Sequence, residues 1–251
     1  MSRGRLRARL GGLRRRTVLL WCAAVLALAG GMVFLFYYSA AFTVQDVQSE
    51  GAGDEVAARA VELAQIPHGR PLARVSEARV SERVLEDRRI AGVEVERDWP
   101  SAVRLVVQER EPAVALRGEG ATWLADTSGV VFDEVEEVED DLPVIALRSD
   151  PTGLDRETVT GLVDLWQLRP DDEELEGELG APRVDADGSI EMEVGVVTLL
   201  WGPPVENEKK WNVVTALMGQ ETIDPQGGLE MTIDVRLPDA PVVTGLPEGT
   251  G

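Results

Sequence analysis

The side chains able to do chemistry are sparse outside the carboxylates. His68 is the only histidine and Cys22 the only cysteine of 251 residues. Ser-His and Cys-His catalysis, and zinc sites built on those ligands, therefore lose most of their candidates. Carboxylates crowd into two runs, Asp133–Asp141 and Asp171–Glu178. A working acid–base pair needs two different, partly buried environments to split its pKa values, whereas such runs are normally solvated loops. No catalytic pair is expected, and weak divalent-cation binding to the runs is left open. Asp185-Ala186-Asp187-Gly188 has the opening of a calcium loop, but Ile190 holds the position where glycine is needed. A hairpin turn on Asp-Gly is expected instead. Trp201-Gly202-Pro203-Pro204 is rich in polyproline formers, but reads as a strand end, a turn and a helix with proline in its first turn. Lys209 and Lys210 then lie on that helix's solvent side or pair with the acidic surface.

Periodicity supplies the elements that would position these groups. Residues 42–50, FTVQDVQSE, alternate apolar and polar as a short strand. Asp54 is a candidate N-cap for a helix through Gln65 with Val56, Ala60 and Leu63 on one face, and Ser76 for a second helix to Arg88 with Val80, Val84 and Leu85 inward. Strands are expected at Val93–Arg97 and Ala102–Glu109, joined by Asp98-Trp99-Pro100-Ser101. The order is β-α-α-β-β. After Arg110-Glu111-Pro112 come short apolar segments at Ala113–Leu116, Thr122–Ala125, Val130–Phe132 and Val144–Leu147, then Ile190–Val194, Val196–Leu200 and Leu229–Val235. Two helices interrupt them: Asp155–Leu168, with a stripe of Val159, Leu162, Val163 and Trp166, and Val205–Met218, with Trp211, Val214 and Met218 on one face.

Residues 17–42 contain no charge. At 1.5 Å per residue about 20 apolar residues cross a hydrocarbon core, so this run predicts one membrane-spanning helix. Trp21, Tyr37 and Tyr38 stand where aromatic rings meet the two headgroup layers. A cleaved signal peptide is the rival, with Ser39-Ala40-Ala41 as its cleavage site, but its apolar region would be about 7–15 residues. Seven arginines and no acid precede the span, so the N-terminus is expected in the cytoplasm. The 45 acids all follow it with the remaining 18 basic residues, a formal −27. That balance repels nucleic acid and anionic wall or lipid polymers, and both are excluded as partners. The expected fold class is α+β: a transmembrane helix, a β-α-α-β-β module and a mostly antiparallel β domain with two helices. Its divisions are a basic tail (1–16), the span as an uncleaved anchor (17–42), the module (42–110), the β domain (111–245) and a frayed tail (246–251). Because the first strand is expected to begin at Phe42, the module is expected close to the membrane.

These elements, in this order, resemble the FtsQ/DivIB family of bacterial cell-division proteins, whose first extracytoplasmic module is a POTRA domain. The residues carrying the resemblance are Gly69-Arg70-Pro71-Leu72, Arg97-Asp98-Trp99-Pro100 and Glu109-Arg110-Glu111-Pro112-Ala113. In the second domain they are the hairpin Leu124–Phe132, Leu142-Pro143, Trp201-Gly202 followed by Lys209, Lys210 and Leu217, and Asp234-Val235-Arg236 with Pro241-Val242. The resemblance implies a scaffold at the division septum, not an enzyme, with no cofactor and no metal. It implies partners of FtsB/DivIC and FtsL type, and regulation of the septal FtsW/FtsI-type synthase pair. It further implies that a partner strand adds to an exposed edge near Thr232–Val243, involving Thr232, Ile233, Asp234, Val235, Arg236, Leu237, Pro241 and Val242. Pro238 and Pro241 remove donors there, which would confine pairing to Met231–Leu237. Arg236 is the polar candidate for contact; the alternative is a surface arginine paired with Asp234 or Asp239. Two other classes are weaker: an anchored POTRA protein for polypeptide or polymer translocation, which would need a pore-sized region, and an anchored wall hydrolase, which would need catalytic groups.

Overall fold

The computed structural model describes residues 18–34, 40–118, 120–170, 179–220, 222–227 and 229–245. Tyr37, Tyr38, the basic tail, the acidic run 171–178 and the tail 246–251 lie outside them. The chain forms two compact units, Met1–Glu109 and Arg110–Gly251. Residues 18–34 are helical (α1), about 25 Å long at 1.5 Å per residue. Among the described residues no helix is long and apolar enough to cross a membrane.

The remainder of the first unit has the expected β-α-α-β-β order, with local differences. A 3-10 turn at Ala40–Phe42 precedes β1, which is Asp46–Glu50 and does not begin at Phe42. The reason is that residues 43–44 pair with a loop instead of the sheet. Thr43 bridges Pro71, the Val44 N–H donates to the Arg70 carbonyl at 2.9 Å, and the Val44 carbonyl accepts from the Gly69 N–H at 2.8 Å. Helix α2 is Asp54–Ala64, with Gly53 and not Asp54 as its N-cap. The Gly53 N–H is taken by the Glu109 carboxylate at 2.8 Å, which moves Asp54 into the first turn, where its charge suits the helix dipole. Helix α3 is Glu77–Val84; Ser76 is the N-cap, but its hydroxyl makes no capping bond. The helix stops before Arg88 because Asp87 accepts from the Arg89 N–H at 3.0 Å and from its guanidinium at 2.9 Å, turning the chain into the next strand. Leu85 is left exposed, not buried as expected.

Strands β2 (Ile90–Asp98) and β3 (Ala102–Glu109) form a hairpin across the cis Trp99-Pro100 bond, and β1 joins β3 in parallel, in the order β1-β3-β2. Val95, Val103, Leu105 and Val107 on one sheet face meet Val56, Ala60, Ala64, Val80 and Val84 of the helices. Arg104, on the alternate face, pairs with Asp98 at 2.9 Å.

The second unit is one mixed sheet. Its strands are β4 (Val114–Arg117), β5 (Thr122–Ala125), β6 (Val131–Val135), β7 (Val144–Leu147), β8 (Arg183–Val184), β9 (Ile190–Val194), β10 (Val197–Gly202), β11 (Met231–Asp234) and β12 (Val242–Thr244). They run in the order β12-β11-β10-β9-β8-β7-β4-β5-β6. The pairings β4–β7, β7–β8 and β10–β11 are parallel and the other five antiparallel. Helix α4 (Arg156–Gln167) is N-capped by Asp155, whose carboxylate accepts from the Thr158 N–H at 2.9 Å. It buries Val159, Leu162, Val163 and Leu165, while Trp166 lies at the margin under the Arg169 guanidinium, 4.7 Å from its ring. Helix α5 (Asn207–Met218) starts after Pro203 and Pro204, so the prolines precede its first turn and do not occupy it.

Asn207 and Lys210 secure this junction. The buried Asn207 accepts from Trp201 Nε1 at 2.9 Å and donates to the Gly161 carbonyl at 2.8 Å. Lys210 is not on the solvent side: it is 1% exposed and its Nζ donates to the carbonyls of Trp201 and Pro203 at 2.9 and 2.8 Å. Burial pushes its pKa down, with nearby Glu206 opposing. Only Lys209 meets the acidic surface, at Asp239, 2.7 Å away.

Candidate docking edge

A nine-stranded open sheet has two edges, here β12 and β6. An edge strand offers unpaired N–H and C=O groups to any incoming chain, and proteins guard edges with charge. The β6 edge carries Asp133 and Glu134 and runs into Glu136, Glu137, Glu139, Asp140 and Asp141. The β12 edge is Val242-Val243-Thr244, without charge, set between Pro241 and Gly245.

The chain reaches β12 through a braced turn. After β11 the Val235 N–H donates to the Leu200 carbonyl at 3.0 Å. Asp234 then accepts from the Arg236 N–H and from its Nε, each at 3.0 Å. The Arg236 hydrogen bond holds the Asp234 carboxyl below its ordinary range against a smaller opposing effect of burial. The Arg236 stem packs over Gly202, where φ is +72° and a Cβ would stand 2.9 Å from Cγ of the arginine. Pro238 is buried, the Ala240 N–H donates to the Leu237 carbonyl at 2.9 Å, and Asp239 is held by Lys209.

The strand order shows which part of the expected stretch lies at the sheet's edge. Met231–Asp234 is an interior strand, parallel to β10 on one side and antiparallel to β12 on the other. Thr232, Ile233 and Asp234 therefore have no open backbone, and Val235 is fully buried. The free strand at this end of the sheet is the one beginning at Val242. Leu237, at 71% exposure, Pro241 and Val242 remain open to solvent. Sequence reading missed β12 as a strand of its own, although a β-branched triplet between proline and glycine was its signal. Arg236 is paired with Asp234, not with Asp239.

The other sequence candidates resolve as structure. Gly188 has φ +82° in the β8–β9 turn, and Asp187 accepts from the Ser189 N–H at 3.0 Å, so the Asp-Gly segment is a hairpin turn. His68 is exposed in its loop. Among the described residues no group of three or more His, Cys, Asp or Glu could hold a metal ion. The Leu124–Phe132 hairpin is held by Asp126, which accepts from the Val130 N–H at 2.8 Å, from the Ser128 hydroxyl at 2.9 Å and from the Arg110 guanidinium.

Residues 43–110 match the POTRA domain, FtsQ-type. A cell division protein FtsQ from Streptomyces bingchenggensis is 31% identical over 245 residues, covering 92% of this chain and 87% of its own length. The chain belongs to the FtsQ family. Other FtsQ proteins agree: that of Mycobacterium bovis is 29% identical over 92% of this chain and 70% of its own, and that of Streptomyces coelicolor 29% over 82% and 81%. Membership makes the chain a cell-division protein and not an enzyme. The POTRA match ends at Arg110, the residue that bonds Asp126 of the β4–β6 region.

Proposed function

We propose that this FtsQ-family chain is a single-pass, N-in membrane scaffold at the division septum, whose β12 edge receives a strand from a small FtsB/DivIC-like partner accompanied by an FtsL-like one. Through that complex it helps control the septal FtsW/FtsI-type synthase pair. The observation that carries the reading is the contrast between the two edges: β6 is acid-guarded, whereas β12 is uncharged, begins with exposed Val242 and is preceded by exposed Leu237. In strand addition main-chain bonds supply affinity and alternate side chains supply choice. The anchor reading is supported by α1, uncharged throughout residues 18–34 and exposed on all sides, as a helix facing lipid would be. Trp21, at 71% exposure, fits an interfacial position.

Co-purification from cells with the full-length chain as bait tests this. Val242→Glu places a charge on the free edge and should lower recovery of the small partner by roughly tenfold, about 1.4 kcal/mol of binding. Glu134→Gln at the other edge should leave recovery unchanged. Undiminished recovery with Val242→Glu would remove β12 from the interface.

A further inference from the structure

The first unit holds a small depression that the docking edge does not involve. It is about 70 Å³ in volume and is lined by Arg70, Ser76, Arg79 and Arg83 with Pro67 and Val75. In a chain with 45 acids, none of its lining residues is a carboxylate. Among the described residues none of the three arginines forms an ion pair. Two are held in place by backbone: Arg83 Nε donates to the Leu63 carbonyl at 3.3 Å and its Nη2 to that of Ala64, and Arg70 Nη2 donates to the Arg74 carbonyl at 3.1 Å. The Arg79 side chain makes no hydrogen bond or ion pair among the described residues, and the Ser76 hydroxyl makes no capping bond to α3. Glu77, the acid in the first turn of that helix, is drawn to Arg97 at 2.8 Å.

We infer that this depression binds a phosphate group, with Arg79 and Arg70 as its contacts, the Ser76 hydroxyl as a further donor and Arg83 as the residue that fixes the wall. Guanidinium forks match phosphate oxygens in geometry and charge, and the depression has the size of one tetrahedral anion, not of a sugar or peptide. The net negative charge does not forbid this: at physiological salt the field of acids beyond about 8 Å is largely screened, so the nearest charges decide. The acidic balance of the whole translocated part, which argues against anionic polymers, is thus not the local balance. The same phosphate chemistry could reach the site as free phosphate or as an anionic lipid headgroup.

Calorimetric titration of the detergent-solubilised full-length chain, at constant ionic strength, distinguishes these sources. The probes are sodium phosphate, dihexanoyl phosphatidylglycerol and, as a zwitterionic control, dihexanoyl phosphatidylcholine. Saturable binding by phosphate alone assigns the site to the free ion, and tighter binding by the glycerol lipid assigns it to a headgroup. In either case Arg79→Glu should weaken binding by roughly tenfold or more, the loss of one charge-assisted contact. Arg70→Gln should weaken it less, and Arg104→Gln on the opposite sheet face should not change it. Unchanged thermal unfolding of Arg79→Glu without ligand shows that the fold is retained. No saturable binding by either anion, or binding indifferent to both Arg79→Glu and Arg70→Gln, would overturn the inference.

Discussion

At the scale of single residues, Asp126 shows how an acid in a very acidic chain becomes structural. It is 8% exposed, and burial alone would raise its pKa. The Val130 N–H, Arg110 and Ser128 outweigh burial and hold it below the ordinary carboxylate range. A folded-state pKa below the unfolded one means that the unfolded chain binds the proton more readily. The stabilisation is therefore complete above the unfolded value and is lost as pH falls through the folded one. Asp126→Asn should cost on the order of 2 kcal/mol near neutral pH, as for hydrogen bonds to a charged group. The gap from the parent chain should narrow progressively in urea melts as pH falls below about 4. A gap that stays constant from pH 7 to pH 3 would mean that charge is not what Asp126 contributes.

Elements explain what periodicity can and cannot show. Helix α4 was legible because Val159, Leu162 and Val163 repeat at helical spacing, and all are buried. The β-α-α-β-β order was legible for the same local reason. Strand β8 has two residues and β12 three, too short for alternation to register, and β12 acquires its meaning only from its pairing with β11. The burial of Lys210 was hidden because it depends on two carbonyls that converge only after β10 turns into α5. A close approach between elements was equally silent: a Cβ at Gly161 on α4 would lie 2.4 Å from the Pro204 carbonyl oxygen before α5. Gly161→Ala must push that segment away and disturb the bond from Asn207 to the Gly161 carbonyl. The expected loss is about 1–3 kcal/mol, read as a lower denaturation midpoint. A variant as stable as the parent would show that the α4–α5 junction yields freely.

On the scale of the whole molecule, the family assignment joins two separately built units in a division protein, while the proposed function rests on one short edge. Composition bounded this reading well: one histidine and one cysteine remove most candidates for His- or Cys-based catalysis, and Cys22 lies in α1. It could not locate the docking strand, because edge status is a property of the finished sheet. The central claim is that β12 and not β6 receives the partner. Site-specific photo-crosslinking in dividing cells compares them directly, with a photoreactive residue replacing Val243 in one variant and Glu134 in another. Adducts to a single small coiled-coil membrane protein from position 243, with none from position 134, are the predicted result. Adducts from position 134, or none from position 243 while cells still divide, would contradict it.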